Sequence, residues 1–580
     1  MGSSPVKKLF QNLKYGGKEY CYSPLPTRNS FRLIEFSTDL VSHKPVFRFY
    51  TESLDNLEHG YVAISYAWDH LNTSTRIFSL DGHFLELSRT LSDLVQSLTK
   101  RHKTCVVWID ALCINQKDYA EKSIQVCLMG RIYSAAEQVI VWLGASTPEI
   151  ERQFRVIDDG ETHQSSETTS AQVDYVALFS LLERPWFRRI WVVQEVALGK
   201  QVVILCGESV MQLDALRPHL SALWNRHEIW PQFVIDNAPY RGLWCVTRLL
   251  DLRDQFQADD MVPYEVLLEA CFHFLATDSR DRIYALRNMA DKTRPVPDPD
   301  YTAITEDVYV EASKALLCSG LSLNLLCLAG LGHRKERQSL PSWVPELRED
   351  NHSEPLVLSR RLNWAAGGCL SSQPRFIAPA HLLVEAYSFD TITVTGEVIS
   401  SNSVQTLQRN IREIIQLRES LPVNAKSQNI SMDSWLEMVW KTLVMDMDID
   451  DNPVPPEYGI HFREWLDILE SCSNEKDEEK LSANVFHRTL GIRTDECRPF
   501  LTSHGYFGVS QAILQPGDEV ILVPGCQVPL VVRRCQGDIA ASPSDGAVYS
   551  CTLQGWSYLY GVMYGEVQIA NSEVQTIIFK

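Results

Sequence analysis

Short apolar runs alternate with segments of helical periodicity between residues 60 and 207. Between the runs, apolar residues recur every three or four positions, which predicts amphipathic helices. Four runs are rich in β-branched and aromatic residues, which is typical of buried strands: YVAISYAW (61–68), TCVVWID (104–110), QVIVWLG (138–144) and QVVILCG (201–207). This alternation predicts an α/β fold with a mostly parallel sheet and flanking helices.

The pattern changes along the chain and divides it into five predicted segments. An N-terminal extension (1–60) precedes the α/β core (61–210), and a mainly helical region (211–400) follows. Helical patterns alternate with charged linkers in residues 401–500. Short apolar runs separated by turn residues then predict a small C-terminal β module (501–580).

The charge balance narrows the function classes. Lys+Arg 54 against Asp+Glu 73 leaves a net charge of −19, which argues against a nucleic-acid-binding protein and against docking on an anionic membrane. No run approaches the roughly 18 apolar residues of a membrane span. The N-terminus lacks the apolar core of a signal peptide. We therefore expect a cytoplasmic protein with no membrane span and no nucleic-acid partner.

The 15 cysteines form no recognisable metal or redox motif. No C-x-x-C pair is present, so a zinc ribbon is not expected. The run MDMDIDDN (445–452) is acidic but lacks the glycine and the twelfth-position glutamate of an EF-hand, which favours a surface loop. There is no P-loop, and no G-x-G-x-x-G follows a strand. The sequence therefore predicts no metal site and no required cofactor.

Polar and aromatic side chains gather where the first two predicted strands end. The carboxyl ends of parallel strands meet at one edge of a sheet, and ligands bind there in open α/β folds. We therefore predict a site made from the residues at or just beyond these two ends: Ser65, Tyr66, Trp68, Asp69, Asp110, Asn115 and Gln116.

A carboxylate and an indole share one predicted helical face in the segment WVVQE. Trp191 and Glu195 are four residues apart, so both side chains lie on the same side of the helix. Packing against the indole is expected to desolvate the carboxylate and raise its pKa. We predict Glu195 and Asp110 as catalytic residues, with Trp191 and Arg189 among the residues that bind the ligand.

Each of these residues also has a structural interpretation. Asp110 can cap the loop that follows it, and Arg188 or Arg189 can form an ion pair with Glu195. A thiol enzyme built on Cys113 is disfavoured because no motif identifies its histidine partner. Core packing is the favoured interpretation for any one of the large aromatic residues of this region: Trp68, Trp108, Trp142, Trp186 and Trp191.

Four long segments resemble the heterokaryon incompatibility (HET) domain of filamentous fungi in order, spacing and residue identity. They are YVAISYAWD (61–69), VWIDALCINQKD (107–118), MGRIYSAAEQVIVWLG (129–144) and RPWFRRIWVVQEVALGKQVVILCGE (184–208). DSRDRIYAL (278–286) and LPSWVPEL (340–347) resemble the family more weakly. The resemblance implies a fungal source and a role in non-self recognition and programmed cell death. Its implied partners are further copies of the chain or other incompatibility proteins.

A second, shorter resemblance is to Toll/interleukin receptor (TIR) domains, and it implies a flavodoxin- or TIR-like sheet. AISYAWD is similar to the first TIR strand, and Trp191 with Glu195 is similar to the TIR W-x-x-x-E helix. In TIR enzymes that glutamate acts on the nicotinamide ribose of NAD. Three hypotheses follow: an effector that self-associates and triggers cell death, an NAD glycohydrolase that uses Glu195, and a HET-like enzyme recruited to another metabolic reaction.

Overall fold

The computed structural model divides the chain into two compact units. The first comprises Met1–Val262, His273–Ala290 and Asp298–Thr302, and the second comprises Pro263–Phe272, Asp291–Pro297 and Ala303–Lys580. The five predicted segments stay a prediction. The residues that the structure describes are 18–39, 45–68, 74–79, 83–102, 104–162, 173–224, 238–259, 262–290, 296–319, 323–330, 340–347, 364–368, 373–377, 380–401, 403–422, 430–449, 452–535, 547–567 and 574–580.

The first unit is built on a sheet of ten described strands. Across the sheet their order is β1-β6-β5-β3-β2-β7-β4-β8-β9-β10. In chain order the strands are β1 (Lys18–Glu19), β2 (Ser30–Thr38), β3 (Pro45–Ser53), β4 (Val62–Tyr66), β5 (Ser74–Ser79), β6 (His83–Ser88), β7 (Thr104–Trp108), β8 (Gln138–Trp142), β9 (Val202–Cys206) and β10 (Ser209–Gln212).

The four strands predicted from the apolar runs are present and lie side by side. β7, β4, β8 and β9 pair in parallel, which brings their carboxyl ends to one edge. The sheet as a whole is mixed, because β2 pairs antiparallel with both β3 and β7. The expected mostly parallel sheet is therefore not confirmed. β2 and β3 extend the sheet beyond its parallel strands, and the flavodoxin- or TIR-like arrangement stays a prediction.

Helices flank the strands of the first unit. Asp118 accepts hydrogen bonds from the backbone N–H groups of Ala120 and Glu121 at 3.0 and 3.1 Å, so it caps the helix that follows. The described α-helices of this unit are Arg89–Arg101, Asp110–Cys113, Tyr119–Ala135, Pro148–Thr162, Tyr175–Leu182, Val192–Ala197, Arg217–Trp224, Ala238–Gln257 and Asp281–Tyr284. Short 3₁₀ segments span Pro185–Arg188, Leu213–Leu216 and Arg287–Met289.

The second unit combines helices with a second sheet. Its described α-helices are Tyr264–Ala270, Thr305–Cys318, Val404–Gln416, Met432–Leu443, Tyr458–Ser471, Glu475–Ala483 and Val485–Arg493, with 3₁₀ segments at Asn324–Leu328 and Leu417–Ser420. Its strands are β11 (Arg375–Ile377), β12 (His381–Thr395), β13 (Arg498–Thr502), β14 (Phe507–Ser510), β15 (Glu519–Leu522), β16 (Leu530–Arg534), β17 (Ala547–Trp556), β18 (Tyr558–Leu559) and β19 (Gln575–Phe579). Of the helices in the described ranges, none is both long and apolar enough to cross a membrane.

Five strands of the second sheet close on themselves. β12 pairs with β15 and β19, and β16 and β17 complete the ring between them. Irregularities in the register of β12 between Ser388 and Asp390 and between Ile392 and Val394 let it continue into pairing with β13. The sheet is therefore not confined to residues 501–580, because its longest strand lies in the segment predicted as mainly helical.

Candidate functional site

Glu195 lies on the helix Val192–Ala197, and its carboxylate is buried beside β4. The residue is only 1% exposed. Ser65 donates its hydroxyl to Oε2 of Glu195 and accepts the indole N–H of Trp186 at 2.7 Å. Tyr133 on the neighbouring helix donates its hydroxyl to the backbone oxygen of Ile64 at 3.2 Å, and its phenol lies close enough to lower the pKa of the same carboxylate. Four different elements of the first unit therefore converge on one carboxyl group.

Burial raises the pKa of Glu195 to about 7. The positive charge of Arg189 and the hydrogen bond from Ser65 act in the opposite direction, and the negative charge of Asp110 adds to the rise. Both protonation states are therefore populated near neutral pH. A carboxyl group with this pKa can take up or release a proton under the conditions in which most enzymes work.

Asp110 is the first residue of the helix Asp110–Cys113, two positions after β7 ends, and it is partly exposed. Trp68 donates its indole N–H to Oδ2 of Asp110 at 3.1 Å, and the backbone N–H of Ala111 donates to Oδ1 at 2.7 Å. Burial raises the pKa of Asp110, and the charge of Arg189 opposes the rise. Trp68 is 42% exposed, so the Trp68–Asp110 pair is the solvent-facing part of the site.

Arg189 provides positive charge near both carboxylates. Its guanidinium donates to the backbone oxygen of Tyr66, and its charge lowers the pKa of Asp110 and of Glu195. Burial raises the pKa of Tyr66, and the two carboxylates raise it further. The phenol of Tyr66 therefore stays neutral. The structure thus brings together the predicted residues Ser65, Tyr66, Trp68, Asp110, Arg189 and Glu195.

Asn115 and Gln116 have local contacts in the turn after β7. The backbone N–H of Asn115 donates to Oε1 of Glu121 at 2.8 Å, and Gln116 donates from Nε2 to the backbone oxygen of Asp110 at 3.0 Å. Asp69 lies outside the described residues. Ligand binding by these three residues stays a prediction.

Trp191 anchors the helix that carries Glu195. The backbone N–H of Glu195 donates to the carbonyl oxygen of Trp191 at 3.4 Å, so the two residues lie one helical turn apart. The Trp191 indole donates to Oδ2 of Asp281 at 3.0 Å, and Tyr301 donates its hydroxyl to Oδ1 at 2.7 Å. Burial raises the pKa of Asp281 to about 6. The indole is therefore committed to a second buried carboxylate.

The sequence prediction missed four residues of this arrangement. Asp281 and Tyr301 escaped because they lie far along the chain from the four strands, although Asp281 falls within the family-like segment DSRDRIYAL. Tyr133 lies within another family-like segment, and Trp186 was assigned only a packing role. For Asp281, Tyr133 and Trp186 the available signal was a polar or aromatic residue inside a segment that resembles the family, and Tyr301 lies outside those segments.

The alternative structural interpretations concern Arg188, Cys113 and the five tryptophans. Arg188 influences His273 and Cys245 through its charge, which places it in another environment from Arg189. Burial raises the pKa of Cys113 to about 12, so its reactive thiolate form is strongly disfavoured. Of the five tryptophans, three are buried, as core packing predicts: Trp108, Trp142 and Trp186. Trp68 and Trp191 are not fully buried.

Comparison with known proteins shows similarity to heterokaryon incompatibility proteins in two parts of the chain. Residues 61–195 match the family model "Heterokaryon incompatibility protein (HET)", and residues 469–576 match the "Het-6 beta-barrel domain". The chain is 26% identical over 637 residues to "Heterokaryon incompatibility protein 6, OR allele" of Neurospora crassa, covering 88% of this chain and 90% of that protein. No solved structure matches the chain. The first match contains every predicted site residue, so residues 61–195 are similar to the HET family, and the chain over most of its length is similar to a fungal heterokaryon incompatibility protein.

Proposed function

We propose that this protein acts in fungal heterokaryon incompatibility, with the HET domain as its effector, and that the effector hydrolyses the N-glycosidic bond of a nicotinamide nucleotide. The family matches and the similarity to the Neurospora protein support the first part. The second part rests on the buried carboxyl group of Glu195.

A single observation carries the enzymatic proposal. The Glu195 carboxylate accepts a hydrogen bond from Ser65 and lies close to Tyr133. Its pKa is about 7, and the charges of Asp110 and Arg189 act on that pKa in opposite directions. Groups whose pKa is shifted by burial and by specific charged neighbours are concentrated at catalytic sites. Because Asp110 is partly exposed and Glu195 is buried, we assign substrate contact to Asp110 and a supporting negative charge to Glu195.

This arrangement fits the hydrolysis of a glycosidic bond to nicotinamide. The bond between C1′ of the ribose and the ring nitrogen breaks, and neutral nicotinamide leaves with the electron pair. Positive charge then develops on the ribose, where two carboxylates in a water-poor site stabilise it. Water adds to C1′ and passes its proton to a carboxylate, which gives nicotinamide, the ribosyl product and one released proton. The exposed Trp68 provides a ring face for stacking.

A second candidate is an effector without chemistry, in which self-association of the HET domain triggers cell death. The observation in its favour is that Glu195 is almost fully buried and bonded to groups of the protein itself. A structural carboxylate that ties a helix to β4 has the same contacts. Further copies of this chain or other incompatibility proteins are the partners of this candidate.

Purified full-length protein incubated with NAD tests the proposal. We expect free nicotinamide to appear, and we expect Asp110→Asn to remove the activity while the protein stays folded. Analytical ultracentrifugation of both proteins records self-association separately. Intact NAD after prolonged incubation at high protein concentration, under conditions in which the protein self-associates, would contradict the enzymatic proposal and favour the second candidate.

A further inference from the structure

The C-terminal end of the helix that carries Glu195 is held by a buried arginine from a neighbouring helix. Arg253 is only 6% exposed. Nη1 of its guanidinium donates to the backbone oxygens of Val196 at 2.7 Å and Gly199 at 2.6 Å, and Nη2 donates to that of Lys200 at 3.1 Å. The last carbonyl groups of a helix have no partner within the helix. Arg253 therefore supplies donors both to the helix end and to the turn that follows it.

The turn after this helix lies directly against the sheet. A Cβ atom on Gly199 would lie 2.7 Å from Cγ2 of Val139 on β8 and 3.0 Å from the backbone oxygen of Glu195. Carbon atoms pack at about 3.5–4.0 Å, so only glycine permits this close approach of the backbone. The end of the helix is therefore in contact both with β8 and with the Arg253 guanidinium.

The described contacts of Arg253 go mainly to these backbone oxygens. Its Nε lies 3.5 Å from Oδ2 of Asp214, a side chain that is 48% exposed. Arg217 lies closer to the same carboxylate, at 3.0 Å. Because a buried guanidinium is stabilised by short hydrogen bonds, the three carbonyl groups contribute more to the placement of Arg253 than the ion pair does.

We infer that Arg253 is a positioning residue for Glu195: its guanidinium fixes the C-terminal end of the helix and thereby keeps the carboxylate against Ser65. The inference rests on the proposed function and adds to its site a residue outside the segment that matches the HET family model. The helix Val192–Ala197 has six residues, so a displacement of its end reaches Glu195 within one turn. A misplacement of about 1 Å can cost about a hundredfold in rate.

Turnover of NAD by three variants tests the positioning role. Arg253→Met should lower kcat about tenfold to a hundredfold with KM unchanged, because we assign Glu195 a charge that acts in the transition state and not in substrate contact. Arg253→Lys keeps the charge but has one donor nitrogen where the site uses two, and its kcat should be intermediate. Arg217→Met is the matched control, because the described contacts of Arg217 include Asp214 but not the Glu195 helix. Its kcat and KM should stay unchanged.

The pKa of Glu195 provides a readout that does not depend on NAD cleavage. It is measured from the pH dependence of the free energy of unfolding of Arg253→Met, with and without Glu195→Gln. A carboxylate that leaves its buried position regains water, so its pKa should fall from about 7 toward the ordinary value of about 4.5. If wild type does not cleave NAD but this fall occurs, the enzymatic proposal fails and the positioning role stands.

Four results would overturn the inference. A lowered Tm in Arg253→Met with unchanged kcat and unchanged Glu195 pKa would assign Arg253 a contribution to stability alone. If Arg253→Met does not fold, Arg253→Lys decides, and wild-type kcat and wild-type Glu195 pKa in that variant would contradict the positioning role. An equal fall of kcat in Arg217→Met would show that the effect is not specific to the helix end. Absence of NAD cleavage together with an unchanged pKa overturns both the inference and the enzymatic proposal.

Discussion

Trp191 donates its indole N–H to Oδ2 of Asp281 at 3.0 Å, across 90 positions of sequence. Tyr301 donates to the other oxygen of the same carboxylate. Because Trp191 immediately precedes the helix Val192–Ala197, this bond anchors the end of the helix that carries Glu195. The position of the buried Glu195 carboxylate thus depends on a residue outside the segment that matches the HET family model.

Replacing Asp281 by Asn should destabilise the first unit by about 1–3 kcal/mol, because one of two buried donors then faces an N–H group instead of an acceptor. Trp191→Phe removes the indole N–H that donates to Oδ2 of Asp281 in the same hydrogen bond. We expect the double variant to lose less than the sum of the single losses, with a coupling of about 1 kcal/mol in chemical denaturation.

Trp224→Phe is the control for this cycle, since the Trp224 indole bonds Thr247 at 3.0 Å. Its effect should add to that of Asp281→Asn. Additive losses for Trp191→Phe and Asp281→Asn would show that their hydrogen bond does not contribute to stability.

Ser65→Ala should both destabilise the protein and raise the pKa of Glu195 above about 7. The variant removes the acceptor of the buried Trp186 N–H, which costs about 1–3 kcal/mol, and it removes a hydrogen bond that lowers the Glu195 pKa. Denaturation at several pH values measures both effects. Ser134→Ala, which removes a bond to the backbone of its own helix, should leave the pKa in place. An unshifted pKa in Ser65→Ala would argue against the described contact.

Glu195→Gln should abolish nucleotide cleavage without lowering Tm. Glutamine keeps the shape of the side chain but not the charge, and losing such a group costs about 3–4 kcal/mol of transition-state stabilisation, or two to three decades in rate. Glu208→Gln serves as the control, because that glutamate is exposed beside Lys100 and Arg101. Unchanged NAD turnover in Glu195→Gln would remove Glu195 from the mechanism.

The raised pKa of Glu195 also predicts a pH dependence of stability with a definite sign. In the unfolded chain the group titrates near its ordinary value of about 4.5, and in the folded protein near 7. Between these values the folded state holds more protons than the unfolded state, so this group's contribution to the free energy of unfolding falls as pH rises and levels off above 7. The change is about 3 kcal/mol.

Comparison of wild type with Glu195→Gln isolates this contribution from the other acidic residues. The stability of the variant relative to wild type should increase from pH 4.5 to pH 7 and then stay constant. A difference that is flat across this range would mean that Glu195 titrates at its ordinary pKa in the folded protein.

Local sequence patterns were sufficient to predict the similarity to the HET family and the four central strands of the first unit. β-branched runs report burial within a few residues, and β4, β7, β8 and β9 lie where those runs predicted them. The long motifs also identified the HET domain, which the family model matches over residues 61–195. Because parallel strands end at one edge, their order alone was enough to bring Ser65 and Asp110 to the same region of the first unit.

Only the tertiary structure shows which distant segments of the chain pair with one another. The antiparallel pairing of β2 with β7 and the closure of β12 with β15 and β19 are choices of partner between distant segments. Periodicity reports that a face is buried but not what covers it. The same reason explains the Trp191–Asp281 bond and the contact of Arg253 with the end of the Glu195 helix: a side-chain contact depends on how whole elements pack, and its free energy is gained only after the intervening chain has folded.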